Sequence, residues 1–195
     1  MLPPAAPARL IAALARALEA IGAHWYLFGA QAVIVWGRPR LTADVDVTVF
    51  LHPEDPAALV AALEAAGFSL RVPPSNEFTR RTRVFPFLHS DTALPLDLVL
   101  GGPGLEERFL DRVVRVDLGG VVAPGICPED LIVTKVLAGR PKDLDDVDGL
   151  LRERLASLDL VVIESTLALL EQALGQGDLV PEWRKALERA RKGLK

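Results

Sequence analysis

A chain of 195 residues, 50% hydrophobic and 25% charged, has ordinary globular composition and enough length to bury a core without disulfides or a structural metal. Its one cysteine, Cys127, excludes an intramolecular disulfide, and His24, His52 and His89 lack zinc-ligand spacing. The formal net charge of −4 argues against a surface coated in positive charge, and no apolar run approaches the roughly 18 residues of a membrane-spanning helix.

In chain order, Leu10, Ile11, Leu14, Leu18 and Ile21 recur at helical spacing and predict a helix over Ala8–Ile21, closed by Gly22. Arg9, Arg16 and Glu19 interrupt this stretch before a signal-peptide core could form, so the expected location is cytoplasmic, with no membrane partner. His24–Phe28 reads as a short strand that breaks at Gly29, and Ala30–Trp36 as a short apolar helix stopped by Gly37 and Pro39. Val45–Leu51 carries β-branched residues in alternation and predicts a strand. Asp55–Ala66 predicts a helix with Asp55 as N-cap and Pro56 in the first turn.

Phe68–Val72 predicts another strand and Pro73–Thr82 a polar loop. Val84–Leu88 and Leu94–Leu100 predict two strands facing each other across the turn His89–Thr92. Val113–Leu118 and Val121–Ala123, joined by Gly119-Gly120, predict a hairpin. From Pro128 onward the pattern is helical, with breaks at Gly139–Pro141, near Leu158 and at Gly175–Pro181. The expected division is a mixed core over 1–125 and a helical region over 126–195. The expected fold class is α+β, a small mixed β-sheet flanked by helices with a helical C-terminal part. Hairpin-like neighbours disfavour a Rossmann-type sheet built of regular βαβ units.

Asp44 and Asp46 stand two apart at the start of the strand Val45–Leu51, so their side chains project to one face while Val45 and Val47 project to the other. Two carboxylates that close repel each other, and a divalent cation resolves the conflict because Mg²⁺ takes oxygen ligands and shares them with substrate phosphates. Asp97 lies inside the apolar strand Leu94–Leu100, where a charge needs a partner, and a metal site on an adjacent strand would supply one. Three carboxylates converging on paired Mg²⁺ (or Mn²⁺) ions are what in-line nucleotidyl transfer requires. Upstream, the turn Phe28-Gly29-Ala30-Gln31 joins a strand to a helix, where a glycine lets backbone N–H groups approach phosphate oxygens. Two basic clusters, Arg71 with Arg80, Arg81 and Arg83, and the C-terminal stretch from Arg184, are candidate phosphate contacts.

With these residues the sequence resembles the DNA polymerase β-like nucleotidyltransferase superfamily, which shows a Gly-Ser or Gly-Gly turn opening a helix, then Asp-x-Asp on the next strand, then a third acidic residue on a later one. Arg40-x-Thr42-x-Asp44-x-Asp46 is similar to the corresponding motif of the AbiEii-type toxin nucleotidyltransferases. So are Pro128–Lys135 and the segment Arg140-Pro141-Lys142-Asp143-Leu144-Asp145-Asp146. The resemblance implies the nucleotidyltransferase fold, catalytic and metal-binding Asp44, Asp46 and Asp97, and nucleotide contacts from Gly29, Ala30, Gln31, Arg40, Thr42, Lys135, Lys142 and Asp143. It also implies that the helical C-terminal region closes over the nucleotide. The implied activity is Mg²⁺-dependent transfer of an NMP from an NTP to tRNA, a protein or a small molecule, in a toxin with a cognate antitoxin. Ala30 departs from the family pattern by lacking a hydroxyl, which leaves as alternative a catalytically degenerate, antitoxin-like binding module. The string Asp44-Val45-Asp46-Val47-Thr48 also fits a dehalogenase-type phosphatase motif, but its apolar strand follows the first aspartate instead of preceding it.

Overall fold

The computed structural model describes residues 5–38, 42, 44–51 and 55–193. Two compact units divide the chain: Met1–Ala32 with Leu41–Ile126, and Val33–Arg40 with Cys127–Lys195.

The first unit begins with helix α1 (Ala6–Ala20), which buries Leu10, Ile11, Leu14 and Leu18 along one stripe, as their spacing dictates. Strand β1 (His24–Phe28) runs into α2 (Gly29–Trp36), whose first residues belong to this unit. Strand β2 (Val45–Phe50) precedes α3 (Pro56–Ala65), where the Asp55 carboxylate accepts from the N–H groups of Ala57 and Ala58, both at 3.0 Å. Then come β3 (Phe68–Leu70), α4 (Glu77–Thr82), β4 (Val84–His89), β5 (Leu94–Leu100), α5 (Leu105–Leu110), β6 (Val114–Asp117) and β7 (Val122–Gly125).

All seven strands form one sheet in the order β3-β4-β5-β2-β1-β7-β6. β2 pairs parallel with β5 and β1 parallel with β7, while the remaining pairs are antiparallel. A mixed sheet flanked by helices, with helices at the C-terminus, is the α+β nucleotidyltransferase architecture expected from the sequence. The face that carries Val45, Val47, Val49, Leu96 and Leu98 is fully buried, and α1 packs on β1 and β5. Alternation therefore sends Asp46 and Asp97 to the opposite face.

Two stretches differ from the expectation. The polar segment Pro73–Thr82 holds α4, started by Asn76, whose side chain accepts from the Phe78 N–H at 2.8 Å. The stretch after Leu100 holds α5, with Glu106 and Glu107 in its first turn. Strand β3 also stops earlier than predicted. The Arg71 N–H donates to the Pro86 carbonyl at 2.8 Å, but proline has no N–H to return the bond.

The second unit is helical: α6 (Pro128–Ala138), α7 (Pro141–Arg154), a single 3₁₀ turn (Leu155–Ser157), α8 (Leu160–Leu174) and α9 (Leu179–Gly193). Leu131, Ile132, Val133, Val147, Leu150, Leu151, Ile163, Leu167 and Trp183 form its core. Gly139 ends α6 in the left-handed conformation, φ 62°, with its N–H on the Lys135 carbonyl. Pro181 falls within the first turn of α9, where a missing N–H costs nothing, so the predicted break ends before it. Among the described residues no helix is long and apolar enough to cross a membrane.

Candidate active site

The register of three strands builds the site. Parallel pairing sets Asp46 on β2 directly opposite Asp97 on β5. Antiparallel pairing sets Phe28 opposite Asp46, which brings the next residue, Gly29, against the Asp46 side chain. Asp44, Asp46 and Asp97 are each half-buried, and each offers a carboxylate oxygen within 4.8 Å of the others. Such an all-oxygen, triply anionic set suits a hard divalent cation of the Mg²⁺ or Mn²⁺ kind.

Local contacts hold the carboxylates in place. The Thr42 hydroxyl donates to Asp44 Oδ1 at 2.6 Å, and the buried Gln31 side chain donates to the Asp44 carbonyl at 3.4 Å. Thr42 and Gln31, expected to touch nucleotide, thus brace the first aspartate. Gly29 has φ 63°, and a Cβ there would lie 2.0 Å from Asp46 Oδ2, so glycine is required both by the backbone and by the carboxylate. Ala30 is buried, 5% exposed. Burial raises the Asp97 pKa above the usual carboxylate value, the Asp44 charge raises it further, and the Arg71 charge opposes both.

Of the remaining expected site residues, Lys135, Lys142 and Asp143 belong to the helical unit. Arg40 falls outside the described residues. In the helical unit Lys135 is 5% exposed, and its ammonium sits 3.0 Å from Asp143 Oδ1 and 2.8 Å from Asp146 Oδ2. Arg140 also donates to Asp143. Burial pushes the Asp143 carboxyl up, but hydrogen bonds and charge from Arg140 and Lys135 outweigh it and hold its pKa below the usual value. A phosphate contact from Lys135 would have to break two buried ion pairs. Lys142 is exposed in the first turn of α7.

The basic clusters are partly occupied as well. Arg83 turns its guanidinium onto the carbonyls of Leu100 and Gly101, at 3.0 and 3.2 Å. In α9, Arg184 pairs with Glu164, Arg189 with Asp148 and Lys192 with Glu188. Arg71 and Arg80 are exposed. The steric fit of Gly29 to Asp46 and the position of Arg71 relative to Asp97 had no signal in the sequence, since both depend on strand register.

Solved structures share this architecture. A nucleotidyltransferase-like antigenic protein from Paracoccidioides brasiliensis aligns over 93% of this chain and 91% of its own, with a TM-score of 0.56 at 15% identity. ANT(2")-Ia in complex with adenylyl-2"-tobramycin aligns over 98% of this chain and 100% of its own, with a TM-score of 0.51 at 15% identity. At such identity the likeness establishes the fold alone. No curated protein matches the sequence. The family model described as "nucleotidyltransferase of unknown function (DUF6036)" matches residues 10–176, and the chain belongs to that family.

Proposed function

We propose that this chain is a divalent-cation-dependent nucleotidyltransferase that moves an NMP group from an NTP to an acceptor hydroxyl, with Asp44, Asp46 and Asp97 as its reactive centre. The observation that carries the reading is the convergence of those three carboxylates on one sheet face, beside a glycine turn, in a chain of a nucleotidyltransferase family. A cation held there, Mg²⁺ or Mn²⁺, supplies Lewis-acid polarisation of phosphoryl oxygens.

The chain's own groups do the rest. Thr42 fixes the Asp44 rotamer and Gln31 anchors its backbone, so that the first carboxylate is preorganised. The turn at Gly29 and Ala30 presents backbone N–H groups to the triphosphate at the start of α2. Asp97 lies on the far side of Asp46 from this turn, which supports its role as acceptor of the hydroxyl proton. The acceptor oxygen bonds to the α-phosphorus, the bond from that phosphorus to the bridging oxygen breaks, and pyrophosphate leaves toward the glycine turn. The resemblance to AbiEii-type proteins supports, as the biological setting, a toxin with a cognate antitoxin.

Incubation with each α-labelled NTP, Mg²⁺ and a cell lysate tests the reading. The native chain is expected to transfer label to a macromolecule or small molecule, and Asp46→Asn to transfer none. Equal labelling by both, or no labelling by the native chain with any NTP, overturns it.

A further inference from the structure

Five positions form one row across the sheet. The Arg71 N–H bonds to the Pro86 carbonyl, Pro86 pairs with Asp97, Asp97 with Asp46, and Asp46 with Phe28. Residues directly opposite one another project to the same face, so Arg71 belongs to the face of the carboxylates. Two strand spacings, about 10 Å, separate its backbone from that of Asp97, and the position between them carries only the pyrrolidine ring of Pro86. Arg71 is exposed, and its side chain makes no ion pair or hydrogen bond among the described residues. Arg83, just before β4, is by contrast held by two carbonyls.

The row has a direction. Gly29 and the start of α2 lie at the Asp46 end, and Arg71 lies at the other end, beyond Asp97. In-line displacement puts the attacking hydroxyl opposite the departing pyrophosphate. With the triphosphate at the glycine turn, the acceptor enters over β4 and β3 and meets Arg71 first.

We propose that Arg71 is an acceptor-positioning residue that binds a phosphate group carried by the acceptor near its reacting hydroxyl. The inference rests on the nucleotidyl-transfer reading and adds the acceptor's chemical class. An exposed guanidinium offers a planar fork of donors that matches phosphate, and it repels a cationic acceptor. The phosphate belongs either to a polynucleotide end or to a small phosphorylated molecule.

Equilibrium binding in Mg²⁺ and a non-hydrolysable NTP analogue distinguishes these. The probes are a short single-stranded RNA with a free 3′ hydroxyl, a 5′-mononucleotide and the matching uncharged nucleoside. Arg71→Ala is expected to weaken phosphate-bearing probes by roughly tenfold or more, Arg71→Glu by more, and Arg71→Lys by less. Affinity for the NTP analogue, nucleoside binding and the melting temperature should stay unchanged. An effect on RNA alone supports the proposal with a polynucleotide as the source, and an equal effect on the mononucleotide supports it with a small one. The proposal is overturned if the native chain binds phosphate-bearing probes no better than the nucleoside. It is also overturned if Arg71→Ala leaves them unchanged or weakens the NTP analogue by the same factor. Loss of labelling in Asp46→Asn tests the transfer reading separately, because that variant leaves Arg71 in place.

Discussion

The molecule carries two groups of closely spaced aspartates with opposite electrostatic solutions. In the sheet unit, Asp44, Asp46 and Asp97 are half-buried, and among the described residues no ion pair joins Asp44 or Asp97 to a lysine or arginine. In the helical unit, Asp143 is fully buried and Asp146 is 6% exposed, and Lys135 lies between them. Full burial of a carboxylate demands an internal cation, since the desolvation penalty is several kcal/mol per ion. Half-burial does not, and leaves a concentration of negative charge that solvent cations can reach. Asp44 and Asp97 stay open to a positive charge from outside, whereas the second group cancels its own.

The largest expected consequence is on transfer activity. Asp46→Asn keeps the side-chain size but removes one of the three converging charges, so the rate should fall by about 10³-fold or more, or about 4 kcal/mol. Its melting temperature should not fall, because the substitution removes one of three mutually repelling carboxylates. Activity near that of the native chain in initial-rate assays would break the contrast on the sheet side.

Lys135→Ala probes the other side. It leaves Asp143 and Asp146 buried without their shared ammonium, which should destabilise the fold by about 3–5 kcal/mol in urea or thermal melts. Adding Asp143→Asn and Asp146→Asn to that variant should recover part of the loss, since it removes the stranded charges. A loss below about 1 kcal/mol together with a tenfold weaker NTP affinity would instead make Lys135 a triphosphate contact.

Much of this was legible before the fold. The alternation through Val45–Phe50 and the charge of Asp97 inside an apolar strand already placed three carboxylates on exposed-side positions of two strands. What was not legible was that β2 and β5 run parallel with Asp46 directly opposite Asp97, because strand direction and register depend on long-range packing rather than on local pattern. The helices α4 and α5 have six residues each, too short for a hydrophobic period to stand out, although Asn76 ahead of Glu77 was a readable cap. Lys135 reads as an edge residue of an apolar helix face. Its burial follows only from the turn at Gly139, which folds α7 back so that Asp143 and Asp146 reach it. Thr42 and Gln31 sit in the motif for a reason the sequence does not expose, since their polar atoms meet Asp44 itself.

Gly29→Ala sharpens the sheet side with a smaller effect. The left-handed backbone costs a non-glycine residue roughly 1–2 kcal/mol, and the added methyl must displace the Asp46 carboxylate. Stability should fall by about 1–3 kcal/mol, and the apparent affinity for Mn²⁺, followed by its paramagnetic signal, should weaken with it. Unchanged Mn²⁺ affinity would show that Asp46 sets its position independently of the turn.

The smallest effect separates the two groups by pH. Asp97 has its pKa raised by burial and by Asp44, so the fold favours its protonated form. That contribution is fully present below the unfolded value, near 3.8, and is lost as pH rises through the folded one. At neutral pH, above the unfolded value, the raised pKa therefore costs the cation-free protein stability, and Asp97→Asn should raise its melting temperature, by roughly 2–4 °C for each kcal/mol relieved. The gain should shrink as pH falls from 7 toward 4, and Mg²⁺ should stabilise the native chain more than the variant. Asp143 runs the other way. Its pKa is lowered by Arg140 and Lys135 against the opposing effect of burial, so its contribution is present above the unfolded value and disappears as pH falls through the folded one. Asp143→Asn should accordingly destabilise at pH 7 and do so less in acid. Melts of both variants across pH 4–8, with and without Mg²⁺, read the two signs directly. If Asp97→Asn lowers the melting temperature at pH 7 without Mg²⁺, the sheet carboxylates are neutralised from within the chain, and the distinction between the two groups fails.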